Sequence, residues 1–279
     1  MTSLADGGSA RWWARLRLLV CVLTVIYLVA PLFIVLTISF SSAPFLTFPP
    51  PGLSLQWYEN LFGNPAWLGS LITSVKILVP SALVATATGT AAAYGLARGE
   101  FRGKELLASF ILSPLVVPTI IIAVGMFGVF RSIGLYGTLA GLILAHIVLT
   151  IPYSMVTVSG ALSVVDRRLE DAAATLGAPP WSSFRRVTLP LILPAVLSGL
   201  LFSMVVSFDE LIVSLFISTP VVRPVTVQMW SDLRGAVDPT ISAIAALLFS
   251  FSLLALFAEF IARRRTGISS RAAASPSHS

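Results

Sequence analysis

Long apolar runs separated by short polar intervals dominate the chain. Six runs reach the ~20 residues of helix needed to cross a hydrocarbon layer, at residues 18–40, 67–96, 106–130, 137–161, 191–217 and 241–262. Each is too uniformly apolar to be one face of a soluble amphipathic helix. The pattern predicts an all-α, polytopic membrane protein with six transmembrane helices spread over residues 18–262. Residues 1–17 form a polar head ending in RWWARLR, and residues 263–279 a Ser/Ala-rich tail expected to be disordered. The first run exceeds the ~7–15 apolar residues of a signal peptide core, so an uncleaved first span is expected.

Within the runs, small and helix-breaking residues add detail. Ala85, Gly89 and Ala93 recur every four residues, a stripe suited to close helix packing. Gly137 and Gly141 have the same spacing at the start of the fourth run, which also carries His146 and Pro152. A lone histidine there is expected to make an interhelical hydrogen bond rather than bind a ligand. Pro114 and Pro118 fall inside the third run, where neighbouring helices must satisfy the freed carbonyls. Between the first two runs, residues 41–66 read as a loop, with Pro49–Pro51 and Gly52 excluding helix there and Trp57 and Tyr58 suited to the interface. Residues 218–240 form a second sizeable loop around VTVQMWSDLR, which reads as a short helix, either external or interfacial with Trp230 as anchor.

Composition agrees with the pattern. Only 11% of residues are charged and 56% are hydrophobic, with mean hydropathy +0.92, against about 25% charged in soluble domains. The formal net charge of +6 is not a nucleic-acid footprint, because the basic residues sit at the ends of the runs. If the N-terminus is inside, the inner segments hold Arg11, Arg15, Arg17, Arg98, Arg102, Lys104, Arg167, Arg168, Arg185, Arg186, Arg263, Arg264, Arg265 and Arg271. The outer segments hold Arg131, Arg223 and Arg234. Fourteen against three places both termini in the cytoplasm. Glu259, four residues before Arg263, reads as an end-of-helix pair. A single cysteine, Cys21, excludes an internal disulfide framework.

Residues 163–190, SVVDRRLEDAAATLGAPPWSSFRRVTLP, are the one long polar interruption between apolar runs. They carry seven of the thirty charged residues. On a helix over 162–176, Leu162, Val165, Leu169, Ala172 and Leu176 make one apolar stripe. Arg167 and Asp171 are spaced to pair. Gly177 stands where a left-handed cap would end the helix, and Pro179–Pro180 cannot continue it. A second short helix is expected to start near Trp181 and Ser182 and end before Pro190. Ala172 and Ala173 leave the first helix thin, a shape that fits a groove on a partner. On composition alone the same stretch could equally lie on the headgroups.

The spacing favours the partner. Asp171-Ala172-Ala173, three residues, Gly177, nine residues, then Val187-x-Leu189-Pro190 resembles the EAA motif of permease subunits of binding-protein-dependent ABC importers. The usual first Glu is Asp171 here, with Glu170 before it. The six-span layout, the Pro-rich first outer loop and the segment FDELIVSLFISTP…PVTVQMWSDLRGAVDPTISAIAALL look like the second permease of spermidine/putrescine importers. The resemblance implies a MetI-like fold in a bacterial inner membrane. The implied partners are a related six-span permease forming the other half of a pore, two cytoplasmic ATPase subunits and an external solute-binding protein. It also implies that Glu170, Asp171, Ala172, Ala173, Gly177, Leu189 and Pro190 couple the chain to the ATPase. The implied solute is a polyamine; ferric iron or another small solute is the alternative.

The residues support that division of labour independently. No GxxxxGK[ST] occurs, so the chain has no phosphate cradle of its own. It is expected to be a non-enzymatic transport subunit without a cofactor, ATP-Mg belonging to the partner ATPase. Asp209–Glu210, beside Phe208, fall late in the fifth run, where a bare carboxylate costs about 2.5–3.5 kcal/mol. They either line the translocation path and attract a cation or satisfy themselves by pairing with Lys76 or reaching the outer interface. An intramembrane hydrolase finds no HExxH or defensible Ser/His pair. A secondary transporter or channel would explain the spans but not the gapped motif in the loop.

Overall fold

The computed structural model describes residues 6–235, 238–254 and 257. Residues 263–279, with Glu259 and the expected end of the sixth run, lie outside the described residues. The chain forms two compact units, one of residues 1–64 and 232–250 and the other of residues 65–231 and 251–279.

In the first unit, α1 (Asp6–Ser39) takes up most of the expected polar head as well as the first apolar run. None of its most apolar window is buried. The loop that follows is less irregular than its prolines suggest. Ser41 and Leu53 form an isolated antiparallel bridge, and α2 (Gln56–Gly63) follows. Trp57 and Tyr58 tie α2 back to the end of α1: the indole N–H donates to the Ser41 carbonyl at 2.8 Å, and the phenol meets Ser39 Oγ at 2.9 Å. A later apolar helix runs over Thr240–Leu254. The Asp238 carboxylate accepts from the Thr240 N–H at 2.9 Å, and Asn60 donates to Thr240 Oγ1 at 2.7 Å.

The second unit is built on three long helices. These are α3 (Pro65–Arg98), α6 (Leu139–Leu162) and the helix that begins at Pro180 and ends as α9 (Leu189–Asp209). The stripe of small residues on α3 explains how close α3 and α6 lie. Ala85, Gly89 and Ala93 are buried. A methyl group on Gly89 would stand 2.8 Å from Ser154 Cβ and 2.9 Å from the Ile151 carbonyl oxygen. One apolar cluster joins Ile77, Leu142, Leu149, Val213 and Ile217, and another joins Ala93, Met155, Val158, Leu162 and Ile192.

Two expected helices are broken, one at Pro118 and one after Asp209. The third run divides into α4 (Lys104–Leu112), a 3-10 turn at Ser113–Leu115, and α5 (Thr119–Ser132), with a bend of 102° between the halves. Pro118 has ψ 127° and lacks an N–H, and a proline biases the residue before it away from helix. The fifth run stops at Asp209. Glu210 has extended backbone, and α10 (Ile212–Ile217) starts anew. Gly137 and Gly141 do not form a helical packing pair, because α6 begins only at Leu139. Gly137 lies in the preceding turn, donating its N–H to the Ile217 carbonyl at 3.0 Å. Among the described residues, four helices are long and apolar enough to cross a membrane, or five if the bent pair counts as one crossing.

Candidate functional site

The interruption at 163–190 folds into two helical pieces. The expected helix over 162–176 is divided: α6 ends at Leu162, and α7 spans Arg168–Thr175. The Asp166 carboxylate causes the restart, accepting from the Arg168 N–H at 2.9 Å. Glu170 and Asp171 occupy the first turn of α7, where carboxylates favour the positive end of the helix dipole. The end of α7 forms as expected. Gly177 has φ +82°, its N–H bonds the Ala174 carbonyl at 2.9 Å, and the Ala178 N–H bonds the Ala173 carbonyl at 3.0 Å. This is a Schellman cap, which requires the left-handed conformation that glycine adopts without strain.

The second piece does not end before Pro190. After Pro179, α8 (Pro180–Ser183) leads into a π turn at Phe184–Thr188 and directly into α9. The Leu189 N–H reaches back to the Phe184 carbonyl, so the ladder widens just before Pro190, which has no N–H to donate. Such a bulge absorbs a register change inside a helix.

The predicted coupling residues separate into two groups. Asp171, Ala172, Gly177 and Pro190 are exposed, while Ala173 and Leu189 are half-buried. The surface around them is apolar for a polar loop, with Leu176 89% and Trp181 69% exposed. Glu170 faces the other way. Its carboxylate accepts from Arg98 Nε at 3.0 Å, Thr188 Oγ1 at 2.8 Å and Tyr94 Oη at 3.2 Å. Arg98 also donates to the Val165 carbonyl at 3.2 Å. The expected Arg167–Asp171 pair is replaced, with Arg167 lying 3.8 Å from Glu100.

Tyr94, Arg98 and Thr188 were not predicted as site residues. Tyr94 and Arg98 are four apart on the last turn of α3, a polar face at a helix end that the spacing does show. Which carboxylate they would meet depends on how α3 packs against the loop.

At the other end of α9, the three consecutive candidates differ. The Phe208 ring packs edge-on against Phe251 at 5.5 Å. Asp209 is exposed at the last helical position. Glu210 is half-buried and caps α10 through the Val213 N–H. Neither carboxylate forms an ion pair with the exposed Lys76 among the described residues.

Between these ends runs a buried polar seam. His146 bonds Ser207 Oγ through Nδ1 at 2.8 Å and Ser214 Oγ through Nε2 at 3.0 Å, joining α6 to α9 and α10. The expected interhelical role of this histidine is what the structure shows. Ser154 continues the seam to Ser203 at 2.8 Å and to the Gly199 carbonyl at 3.1 Å.

Residues 85–267 match the protein family described as binding-protein-dependent transport system inner membrane component. The chain is 34% identical over 240 residues to the spermidine/putrescine transport system permease protein PotC of Haemophilus influenzae, covering 85% of this chain and 93% of that one. It is also 34% identical to the putrescine transport system permease protein PotI of Escherichia coli, covering 83% and 85%. A chain of a bacterial ABC transporter involved in import of the acidic polysaccharide alginate superposes with TM-score 0.69. That match covers 95% of this chain and 99% of the other at 14% identity, a likeness of fold.

Proposed function

Because the chain belongs to the family of inner membrane components of binding-protein-dependent transport systems, we propose that it forms one half of the pore of an ATP-driven polyamine importer. Members of this family are multi-pass transport subunits rather than enzymes, carry no cofactor of their own, and work with a binding protein and other subunits. The proposed assembly adds a second six-span permease and two cytoplasmic ATPase subunits that bind ATP-Mg. In this reading the chain itself has six spans, the bent α4–α5 pair being the third and the run from Thr240 the sixth. Both termini and residues 163–190 face the cytoplasm in this reading, which the fourteen-to-three distribution of basic residues supports.

The loop is the receiving end. Asp171, Ala172, Ala173 and Gly177, with the apolar rim of Leu176 and Trp181, form the surface offered to the ATPase. Leu189–Pro190 lead the movement into α9. Rocking of one group of helices against another about a central site, as in membrane transporters built on repeats, would expose solute to alternate sides. At the outer end, Phe208, Asp209 and Glu210 are the proposed path residues. A polyamine is a flexible chain of ammonium groups, so carboxylates and aromatic faces are the groups that hold it. Asp209 presents its carboxylate outward, and Glu210 keeps α10 in place beside it. The helix at Val225–Arg234, α11, is the proposed contact for the binding protein.

The observation that carries the solute assignment is the 34% identity to the two polyamine permeases over more than four fifths of the chain. The test is uptake of labelled putrescine and spermidine in cells lacking their own polyamine importers and supplied with the four kinds of subunit. Asp209→Asn and Glu210→Gln should each lower uptake. Unchanged kinetics in both would remove these residues from the path, and uptake of ferric iron but not of polyamines would replace the solute.

A further inference from the structure

Within the coupling reading above, we infer that Glu170 is a positioning residue whose carboxylate clasps the loop to two membrane-spanning helices, so that the loop and the helix ends move as one body. The residue belongs to the inside of the permease and not to the surface offered to the ATPase.

The geometry separates two adjacent acids. Neighbouring positions on a helix point about 100° apart, and here that difference decides their surroundings. Asp171 is exposed, whereas the Glu170 side chain is only 12% exposed and its partner Arg98 15%. One carboxylate takes three donors from two different helical segments. Arg98 and Tyr94 come from the last turns of α3, and Thr188, fully buried, comes from the end of the π turn that leads into α9. Arg98 also holds the Val165 carbonyl, in the turn just before α7. The loop helix is therefore gripped at its own first turn and just upstream.

Apolar packing does little of this work. No residue of α7 is buried, and the stripe that periodicity assigns to it is largely in the open, with Leu169 48% and Leu176 89% exposed. A helix held by exposed apolar residues alone would slide when pulled. Charge-assisted hydrogen bonds are short and directional, and resist such sliding. The clasp also acts on the most adjustable part of α9. Thr188 is the last residue of the π turn, where the backbone ladder is already one residue out of register, so fixing Thr188 sets where α9 begins. The Tyr94 ring, 4.7 Å from Phe184 and edge-on to it, braces the same turn.

The test uses the full complex of permeases, ATPase and binding protein. Spin labels at the exposed positions Ala97 on α3 and Ala174 on α7 report the separation of helix end and loop, with and without ATP and vanadate. In the otherwise unaltered complex the distance distribution should stay narrow and equal in both states. Glu170→Ala and Arg98→Ala should each broaden it and lower putrescine taken up per ATP hydrolysed by about tenfold, while the ATPase still co-purifies. The exchanged pair R98E/E170R should restore a narrow distribution and at least about a third of the uptake ratio, as expected of residues coupled to each other rather than acting separately. Should Glu170→Ala prevent assembly, Tyr94→Phe with Thr188→Val keeps the ion pair, removes the other two donors, and should still broaden the distribution.

Loss of the ATPase from Glu170→Ala to the same degree as from Asp171→Arg would make Glu170 a docking residue and overturn the clasp. An unchanged distribution in the variants, or no recovery in the exchanged pair, would overturn it as well. Failure of the coupling reading is seen separately: Asp171→Arg would leave ATPase binding and uptake intact, and the clasp would then have no movement to transmit.

Discussion

Gly89 is a point of close approach between α3 and α6, and replacing it with alanine gives a signed prediction. The added methyl would lie 2.8 Å from Ser154 Cβ, 2.9 Å from the Ile151 carbonyl oxygen and 3.0 Å from the Met155 nitrogen. Two of these neighbours are backbone atoms of α6 and cannot rotate away. Relaxed carbon contacts fall near 3.5–4.0 Å, so the helices must part by roughly 1 Å along the stripe of Ala85, Gly89 and Ala93. Overpacking of this kind costs about 1–3 kcal/mol. Alanine returns up to about 1 kcal/mol of helix propensity, leaving a net loss of up to roughly 2 kcal/mol and a stability below that of an unhindered glycine-to-alanine change by about 1–3 kcal/mol. Gly95 lies six residues further along the same helix with no neighbouring atom within 4 Å of a methyl placed there. Gly95→Ala should therefore be neutral or stabilising by up to ~1 kcal/mol. Unfolding of the purified permease by increasing detergent denaturant, followed by circular dichroism, measures both. If Gly89→Ala is as stable as Gly95→Ala, the close approach of α3 and α6 is wrong.

Other expectations follow from single contacts. His146→Ala leaves Ser207 and Ser214 without their shared partner. At roughly 0.6–1.7 kcal/mol per interhelical bond in a membrane, the variant should lose about 1–3 kcal/mol in the same unfolding assay. Gly177→Arg forces a side chain into the left-handed region at φ +82°, a strain of about 1–2 kcal/mol. It should lower both ATPase co-purification and uptake, and if both persist the loop does not couple to the ATPase. Asp238→Ala removes the acceptor for the Thr240 N–H at the start of the last described helix. It should destabilise that helix by about 0.5–2 kcal/mol, seen as faster amide exchange at its first turn.

Much of this chain was legible before any coordinates. Uniform apolar runs state the solvent, and their length states helices that can cross it. The Ala85–Gly89–Ala93 stripe and the cap at Gly177 also read correctly, because small size and positive φ are properties of single residues at fixed offsets. Breaks inside the runs did not. Hydropathy is blind to backbone direction, so the bend at Pro118 and the stop at Glu210 were invisible in runs that remain apolar on both sides. The restart at Asp166 and the π turn before Pro190 are likewise choices of hydrogen-bond register, which periodicity averages away.

By itself the sequence determined the class of molecule, a membrane-embedded all-helical permease, since composition carries the membrane class and the resemblance of its motifs to a permease family carries the rest. Only the tertiary structure decided which of two neighbouring acids looks outward. Glu170 and Asp171 are nearly the same chemistry one residue apart. They are told apart by where the end of α3 places Tyr94 and Arg98, a consequence of helix packing across about seventy residues of chain that no local pattern encodes.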